Sequence, residues 1–463
     1  MTQIEFVKCG INGEGIGYIN RKPVFCDGVF PGETAEVEII EEKPSYMRAK
    51  LKRILTRAPW RTKNPCPHAH QCGACPLLAM DYQKQLEVKR DLLVEALWKY
   101  SHTGKDLVRD IHPSPSILHY RNQCKLPIQQ YQGKLVSGMY QPGTNHFCDT
   151  DGCLIHEEHL EQLRSRVLAV LNAHHMPAYN ATTHTGVRSM VLRTMADESQ
   201  LTLITGRDTL PQDLIDDLAS LGITSIHQSI NTAKKDAGFF GSTPRTLYGP
   251  DCLSVTICSM PLQLPPASFF QLNTKQAEAL YTMAVSKIDR CQVLLEAYCG
   301  IGAMSLLAKD KAKSILGIEA VPDAIRCADQ NARLNQCGDH VHFQCADSAK
   351  GLAEAAARHS IDTLLVDPPR SGMDEAMLKA VEDAKIPRLI YVSCNPATLS
   401  RNLADLKKSY EVKTIIPFDL FPNTPLVESI TVLQRHGTTD RKPGKSIKRK
   451  HKHAEQNNSK HGK

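Results

Sequence analysis

The chain has 463 residues, of which 41% are hydrophobic and 23% charged, a composition ordinary for a soluble protein and a length too great for one core. No stretch approaches the roughly 18 uninterrupted apolar residues of a membrane span, and the N-terminus lacks the features of a signal peptide. We therefore expect a cytoplasmic monomer, not bound to membranes, whose 16 cysteines are reduced thiols, metal ligands or catalysts.

Residues 1–57 alternate short strand-like runs with Gly and Pro signals, which predicts a small β-barrel. The following segment, residues 48–63, holds seven Lys/Arg and no acid, with Trp60 among them. This pattern predicts a positive stripe beside an aromatic that stacks on nucleic-acid bases. The alternative is a solvated strand face without a fixed partner.

Residues 58–260 are predicted to form a central domain. Cys66, Cys72 and Cys75 follow a C-x5-C-x2-C pattern bracketed by prolines, so three thiolates can share one metal ion or cluster. A fourth ligand must come from elsewhere, and Cys153 is our candidate, with Cys148 as its rival. The spacing does not separate zinc from iron-sulfur, and the alternative is a set of buried free cysteines.

Residues 261–435 alternate strand-like and helix-like segments, which predicts a doubly wound, mostly parallel α/β sheet. Three apolar runs in this region end in a Gly-rich turn after Ala297, in Asp367-Pro368-Pro369, and in Cys394-Asn395-Pro396. If these strands are parallel neighbours, a glycine turn, an acid and a thiol meet at the carboxyl edge of the sheet. Open α/β sheets bind their ligands at that edge.

The glycine turn and the strand after it indicate a nucleoside cofactor. Small residues at Gly300 and Gly302 let the backbone approach a ligand, and the next helix is predicted to begin at Ala303 or Met304. Glu319 ends the next predicted strand at the spacing expected of a ribose-binding acid. NAD and S-adenosylmethionine both fit this pattern, although the third glycine of the dinucleotide fingerprint is absent.

Cys394 is predicted to be a nucleophile. Cysteine is often a buried structural residue, so residue type alone favours a packed thiol at a strand end. Its predicted place on the same sheet edge as Gly300 and Asp367 favours catalysis instead.

The excess positive charge lies in the C-terminal tail. Residues 441–463 contain nine Lys/Arg and one acid, a net of +8, whereas the whole chain has a net charge of +7. The tail, predicted over residues 436–463, is polar and lacks periodicity, so we expect it to be disordered. It either attracts phosphates without specificity or is only solvated.

These motifs together resemble the RNA uracil-5-methyltransferase family, particularly the bacterial enzymes that act on large-subunit ribosomal RNA. The N-terminal segment is similar to the family's TRAM barrel, and Ser268-Phe269-Phe270-Gln271 is close to a family signature. The resemblance implies a class I methyltransferase domain, a 4Fe-4S cluster in the central domain, and S-adenosylmethionine as methyl donor. By this resemblance the cofactor site is lined by Gln271, Tyr298, Glu319 and Asp367, and the cluster is held by Cys66, Cys72, Cys75 and Cys153.

The same resemblance implies that Cys394 is the nucleophile and Glu428 the base. Three positions depart from the family pattern: Glu296 replaces the more common Asp, and Asn423 and Leu426 stand where histidines are common. The expected reaction transfers a methyl group to carbon 5 of a uridine in RNA, in particular 23S ribosomal RNA, through a covalent cysteine adduct. The alternatives are a transfer-RNA uracil-5-methyltransferase, an amino-group methyltransferase and a non-catalytic RNA-binding protein.

Overall fold

The structure, a computed structural model, describes residues 2–233 and 239–438. In chain order these residues form a closed barrel, a seven-stranded sheet and a second seven-stranded sheet, which confirms the predicted α/β class with an N-terminal barrel. From residue 439 onward the predicted basic tail lies outside the described residues. None of the helices in those two ranges combines the length and the apolar content that a membrane crossing demands.

The N-terminal barrel is built from strands whose buried residues alternate with outward-facing polar ones. In the fourth strand Ala35 and Val37 are fully buried, whereas Glu36 and Glu38 point outward, the period of two expected of a strand with one buried face. The sheet closes in the order β1-β2-β3-β5-β4. Its strands are β1 (Thr2–Cys9), β2 (Gly15–Ile19), β3 (Lys22–Cys26), β4 (Glu33–Glu42) and β5 (Met47–Thr56).

The basic run on β5 is not the unopposed positive stripe that the sequence predicted. Strand β4 pairs antiparallel with β5 and places its acids beside those bases. The cross-strand ion pairs are Lys52–Glu38, Arg53–Glu36 and Arg48–Glu41, and Arg61 binds Glu33 at the barrel rim. The acids belong to an earlier segment, so a count of charges along residues 48–63 misses them.

Trp60 is only partly exposed. Its ring packs against a small core under the barrel, and the Lys84 ammonium lies 4.6 Å from the ring centre. Lys50, Arg57 and Lys63 form no ion pair within the described residues. These three side chains are therefore the positive charges of the run that no acid of the described residues pairs with.

The central region joins a long helix to a seven-stranded sheet. Strands β9 and β10 are neighbours in this sheet, and helices α3 and α4 share its hydrophobic core. The sheet order is β12-β11-β10-β9-β6-β7-β8. The elements are α1 (Ala69–Cys72), α2 (Tyr82–Ser101), a 3₁₀ turn (Lys105–Leu107), β6 (Gln123–Tyr131), β7 (Lys134–Tyr140), β8 (Phe147–Asp149), α3 (Glu158–Ala173), β9 (Val187–Met195), β10 (Glu198–Thr205), α4 (Gln212–Ser220), β11 (Ser225–Ile230) and β12 (Arg245–Tyr248).

The C-terminal sheet has the order β17-β16-β15-β18-β19-β21-β20. Its first five strands are parallel, and β21 is inserted antiparallel between β19 and β20. The elements are β13 (Leu253–Ile257), β14 (Met260–Leu264), α5 (Thr274–Ser286), β15 (Cys291–Ala297), α6 (Ala303–Leu307), β16 (Ala312–Glu319), α7 (Pro322–Leu334), β17 (Val341–Cys345), α8 (Ser348–Arg358), β18 (Thr363–Val366), α9 (Glu375–Ala384), β19 (Arg388–Ser393), α10 (Pro396–Leu406), β20 (Tyr410–Phe418) and β21 (Glu428–Arg435).

Two elements outside the C-terminal sheet share its hydrophobic core. The β13–β14 hairpin buries Leu253 and Leu262 with α5, so the boundary predicted between residues 260 and 261 falls inside one structural unit. Helix α2 buries Leu93 and Leu97 in the core that also contains Leu399 of α10. Helix α2 thus connects the central region to the sheet that carries the site.

Candidate active site

Three parallel strands end together at one edge of the C-terminal sheet. The register pairs Ala297 with Val366 and Val366 with Tyr391, so the turns after β15, β18 and β19 are neighbours. These turns carry Tyr298, Asp367 and Cys394. The structure therefore brings together the glycine turn, the acid and the thiol that the sequence placed at the ends of separate strands.

The glycine turn after β15 has the left-handed backbone that its sequence requires. Gly302 has a φ of 84°, and a Cβ there would lie 2.5 Å from the Phe343 ring, so only glycine fits. Tyr298 itself has a φ of 63°, a costly conformation for an aromatic residue. Helix α6 begins at Ala303, as predicted.

Glu319 is fixed beside the glycine turn by two backbone hydrogen bonds. Its carboxylate accepts from the N–H of Gly300 at 3.2 Å and from the N–H of Val321 at 3.0 Å. Strand β16 lies directly beside β15, which is why this acid reaches the turn. The position is the one expected for an acid that binds the ribose hydroxyls of a nucleoside.

Glu296, where the resemblance favours Asp, is a buried structural acid. The Ser305 hydroxyl donates a hydrogen bond to its carboxylate, and the side chain is 1% exposed. Burial raises the pKa of Glu296 to about 8, against the opposing effect of the bonds from Ser305. The longer side chain is therefore accommodated by α6, which supplies Ser305.

Gln271 lies in the loop before α5 and is held there by the central region. Asn122 donates a hydrogen bond to the Gln271 carbonyl at 2.9 Å, and the Asn122 N–H donates to the carbonyl of Leu272. Arg193 of β9, also buried, donates to the carbonyl of Ser268 at 2.9 Å. The side-chain amide of Gln271 makes no hydrogen bond within residues 2–233 and 239–438, which leaves it available to a ligand.

Cys394 and Glu428 lie at the same end of the β19–β21 pair. The last residue pair of the two strands is Ser393 with Ser429, Cys394 follows Ser393, Glu428 precedes Ser429, and the charge of Glu428 acts on the Cys394 thiol. Burial, followed by the charges of Glu428 and Asp367, raises the pKa of Cys394 to about 12, whereas Arg370 opposes the shift. The thiol is therefore protonated near neutral pH, and a proton acceptor must remove its proton before the sulfur can act as a nucleophile.

The two carboxylates beside Cys394 are themselves poised near neutrality. Burial raises the pKa of Glu428 to about 8, with Asp367 adding to the shift and Arg370 opposing it. Burial also raises the pKa of Asp367 to about 7. Acids and bases with pKa values near the working pH are suited to proton transfer.

The two departures ahead of Glu428, Asn423 and Leu426, lie in the loop between β20 and β21. Asn423 is 1% exposed and exchanges hydrogen bonds with the Gln85 side chain of α2: its backbone N–H donates to Gln85 Oε1 at 2.8 Å, and its Oδ1 accepts from Gln85 Nε2 at 3.1 Å. Its φ of 68° is one that Asn tolerates better than most residues. Asn423 therefore has a structural role, whereas Leu426 is partly buried in the same loop.

Models of two known protein families match the sequence of this chain. A model of the tRNA (Uracil-5-)-methyltransferase family matches residues 81–436, and a TRAM domain model matches residues 3–52. The chain belongs to the RNA uracil-5-methyltransferase family. It is an S-adenosylmethionine-dependent enzyme, which sets aside the non-catalytic alternative.

Relatives of the enzyme cover almost all of its length. Two relatives, from Bacillus cereus (strain ATCC 10987 / NRS 248) and Halalkalibacterium halodurans, are described as uncharacterized RNA methyltransferases, and each is 32% identical to this chain. The alignment with the Bacillus cereus protein covers 92% of this chain and 95% of the relative. The alignment with the Halalkalibacterium halodurans protein covers 93% and 95%. The crystal structure of the Pyrococcus abyssi tRNA (uracil-54, C5)-methyltransferase with S-adenosyl-L-homocysteine is 24% identical. It superposes with a TM-score of 0.75 over 93% of this chain and 100% of that one, which shows a shared fold.

The predicted cluster ligands form one group in the central region. All four are free thiols, and each of Cys72 and Cys75 has its pKa raised by burial and then by neighbouring charges that include Cys153 and Cys66. Burial, the largest single effect, would raise the pKa of Cys153, but the hydrogen bond and charge of His156 together with two backbone hydrogen bonds lower it. Two segments far apart in sequence thus bring their thiols together.

The cysteine group does not have the geometry of a single-ion site. Within the described ranges, no three His, Cys, Asp or Glu side chains are arranged to hold one metal ion. A zinc ion needs all its ligands at about 2.0–2.3 Å, whereas a four-iron cluster is larger and takes one thiolate on each iron. Cys148, the rival ligand, is buried near Cys66 and Cys72, and burial followed by their charges raises its pKa. Four thiolates are a donor set that both a structural zinc ion and a four-iron cluster accept.

Sequence reasoning did not single out Arg370, Asn122 or Arg193. Arg370 directly follows the Asp-Pro-Pro turn, so its place beside Cys394 and Glu428 was open to prediction from that motif. Asn122 directly precedes β6, and Arg193 lies in β9. Both donate hydrogen bonds to the loop that holds Ser268 and Gln271, which belongs to the next predicted domain. Nothing in their local pattern indicates this contact.

Proposed function

We propose that the enzyme methylates carbon 5 of a uridine through a covalent adduct with Cys394, and that Glu428 is the base. The place of Cys394 at the end of the β19–β21 pair, where the charges of Glu428 and Asp367 act on its thiol, carries this proposal. S-adenosylmethionine supplies an electrophilic methyl group when bound, and Gln271, Tyr298, Glu319 and Asp367 would hold it. Carbon 5 of uracil is a poor nucleophile, which is why a protein thiolate is needed.

Each step uses a group of this chain. Cys394 loses its proton to a neighbouring carboxylate, and its sulfur then adds to carbon 6, which leaves an enolate with a nucleophilic carbon 5. After carbon 5 has gained the methyl group, ionised Glu428 removes the proton from carbon 5, and the bond between sulfur and carbon 6 breaks. A uridine paired or stacked in RNA must first be flipped out to reach this edge.

The test separates the two steps of chemistry. Cys394→Ala should bind RNA and cofactor but form neither adduct nor product. Glu428→Gln should add and transfer the methyl group but release the product about 10²–10⁴-fold more slowly, so a covalent protein–RNA species accumulates on denaturing gels. Cys345→Ala, which removes an exposed thiol, is the control. Methylation by Cys394→Ala would rule out the adduct, and normal turnover by Glu428→Gln would require another base.

We propose 23S ribosomal RNA as the substrate, since the resemblance to bacterial ribosomal-RNA enzymes includes the four-cysteine site. Transfer RNA is the second candidate, because the family model and the Pyrococcus abyssi relative are described by that activity. Mapping 5-methyluridine in both RNAs from a deletion strain decides between them. Loss of the modification from transfer RNA alone would overturn the ribosomal proposal.

We also propose that Cys66, Cys72, Cys75 and Cys153 hold a 4Fe-4S cluster. The convergence of four free thiols from two segments supports this assignment. When bound, the cluster would tie the two segments together.

All 16 cysteines are free thiols, which supports a cytoplasmic location. We propose a monomer, and light scattering of the purified protein tests this.

A further inference from the structure

The loop that leads into Glu428 is tied to both segments that carry the cysteine group. This loop, residues 419–427, joins β20 to β21, and Phe418 pairs with Glu428 across its base. Glu428 is therefore the first residue after the loop, so its position depends on the loop on one side and on the β20–β21 pairing on the other. We call residues 419–427 the base loop.

Helix α2 holds the start of the base loop with a buried ion pair. Lys89 and Asp419 are both fully buried and bind each other, and the Tyr82 hydroxyl donates to Asp419 at 2.9 Å. The Lys89 ammonium also donates to the carbonyl of Phe421 at 2.9 Å. One face of α2 thus fixes both the side chain and the backbone of the loop.

The two carbonyls that follow accept hydrogen bonds from the cysteine segments. The N–H of Leu77 donates to the carbonyl of Asn423 at 3.0 Å, and Leu77 lies two residues after Cys75. The Tyr120 hydroxyl donates to the carbonyl of Pro422 at 3.0 Å. Both hydrogen bonds are buried, so each helps to fix the position of the base loop.

Tyr120 is in turn fixed to the other cysteine segment. Its N–H donates to the carbonyl of Ile155 at 3.1 Å, and Ile155 lies two residues after Cys153. Adjacent positions of the base loop, Pro422 and Asn423, are thereby attached to the segments of Cys153 and Cys75. The nucleophile is held independently, because Asn395 and Thr398 anchor its turn to the carbonyl of Arg370.

We propose that Tyr120 and Asn423 are positioning residues through which the cysteine group sets the place of Glu428. This inference rests on the proposed roles of Glu428 and of the four cysteines. Loosening either cysteine segment removes a hydrogen bond from the base loop and displaces Glu428 but not Cys394. The affected step is the removal of the carbon-5 proton, after the adduct has formed.

The sharpest test removes one hydroxyl. Tyr120→Phe keeps the ring and loses only the bond to Pro422, and Tyr410→Phe is its matched control, because that buried hydroxyl donates at 2.8 Å to the carbonyl of Ile386. Tyr120→Phe should slow adduct release about fivefold, the factor that one buried hydrogen bond is worth, with adduct formation and iron content unchanged. Equal release rates in Tyr120→Phe and Tyr410→Phe would overturn the proposal.

Hydrogen exchange supplies a readout that does not need activity. In full-length Cys153→Ser, amides of residues 419–428 should exchange faster than in the wild type, whereas those of β17 (Val341–Cys345), at the far edge of the sheet, should not change. Unchanged exchange in residues 419–428 would also overturn the proposal. Glu428→Gln distinguishes the two hypotheses. If this variant accumulates no adduct, the assignment of Glu428 as the base has failed. If it accumulates adduct while Tyr120→Phe has no effect, only the link between the cysteine group and Glu428 is refuted.

Discussion

Cys394 and Glu428 both adjoin the last residue pair of β19 and β21, which is Ser393 with Ser429. The pair owes its proximity to the antiparallel insertion of β21 between β19 and β20. A thiol with a pKa raised to about 12 and a carboxyl with a pKa raised to about 8 therefore share one buried corner. The protonation state of this corner should control the reaction.

The rate of adduct release should rise with pH. Burial raises the pKa of Glu428 to about 8, so only the minority that is ionised at pH 7 can accept the carbon-5 proton. We expect about a tenfold increase per pH unit below pH 8 and a plateau above it, measured as decay of preformed adduct. Glu428→Gln should lose this dependence. A flat wild-type profile between pH 6 and pH 8 would contradict the assignment.

Glu428→Gln should be more stable than the wild type at pH 8. Folding raises the pKa of the Glu428 carboxyl from about 4.3 in the unfolded chain to about 8. The protonated group therefore contributes its full stability below about pH 4.3, and this contribution is lost as the pH rises to about 8. Each kcal/mol relieved should raise Tm by about 2–4 °C, and the gain should shrink at pH 5. Exposed Glu411→Gln, whose carboxylate binds Lys413, is the control and should show no such gain. An equal gain at both pH values would contradict the burial of Glu428.

Anaerobically purified protein should be brown and contain about four iron and four sulfide per chain. Cys153→Ser should lose the cluster, whereas Cys148→Ser and the exposed control Cys345→Ser should keep it. Retention in Cys153→Ser with loss in Cys148→Ser would move the fourth ligand to Cys148. Zinc without iron or sulfide would refute the cluster.

Lys89→Met should destabilise the protein by about 3–5 kcal/mol, since it leaves Asp419 buried without its cation. The double variant Lys89→Met/Asp419→Leu should recover much of this loss, because it removes both charges. Urea unfolding measures both effects. Lys379→Met breaks an exposed pair with Asp383 and should have no measurable effect. A double variant as unstable as Lys89→Met would show that packing, not charge, accounts for the loss.

Removal of residues 441–463, which lie outside the described residues, should weaken RNA binding and reduce its dependence on salt. The nine Lys/Arg of this segment exceed its single acid, and each phosphate contact adds to the salt dependence. Methylation should persist, because every proposed catalytic residue precedes the tail. The measurement is RNA affinity across a range of salt concentrations. An identical slope in the truncated protein would exclude a phosphate-binding tail.

The sequence alone was sufficient for those parts of the site that lie where a strand meets its own turn. Gly300 and Gly302, Asp367 and Cys394 each follow an apolar run, so the local pattern identified both the strand and the residue at its carboxyl end. The alternation of strands and helices predicted a mostly parallel sheet, but whether β15, β18 and β19 are neighbours was left open. The family resemblance added Glu428, which residue type alone would have left as a surface acid.

Only the tertiary structure decided how segments far apart in the chain meet. Pairing of β4 with β5 neutralised much of the basic run, and the packing of α2 against the base loop gave Asn423 a structural role in place of a catalytic one. The register of β21 on β19 set Glu428 against Cys394, and hydrogen bonds from Leu77 and Tyr120 joined the cysteine segments to the base loop. A hydrophobic period records which face of a strand is buried, but not which distant strand lies beside it, because that choice is made by packing across the whole chain.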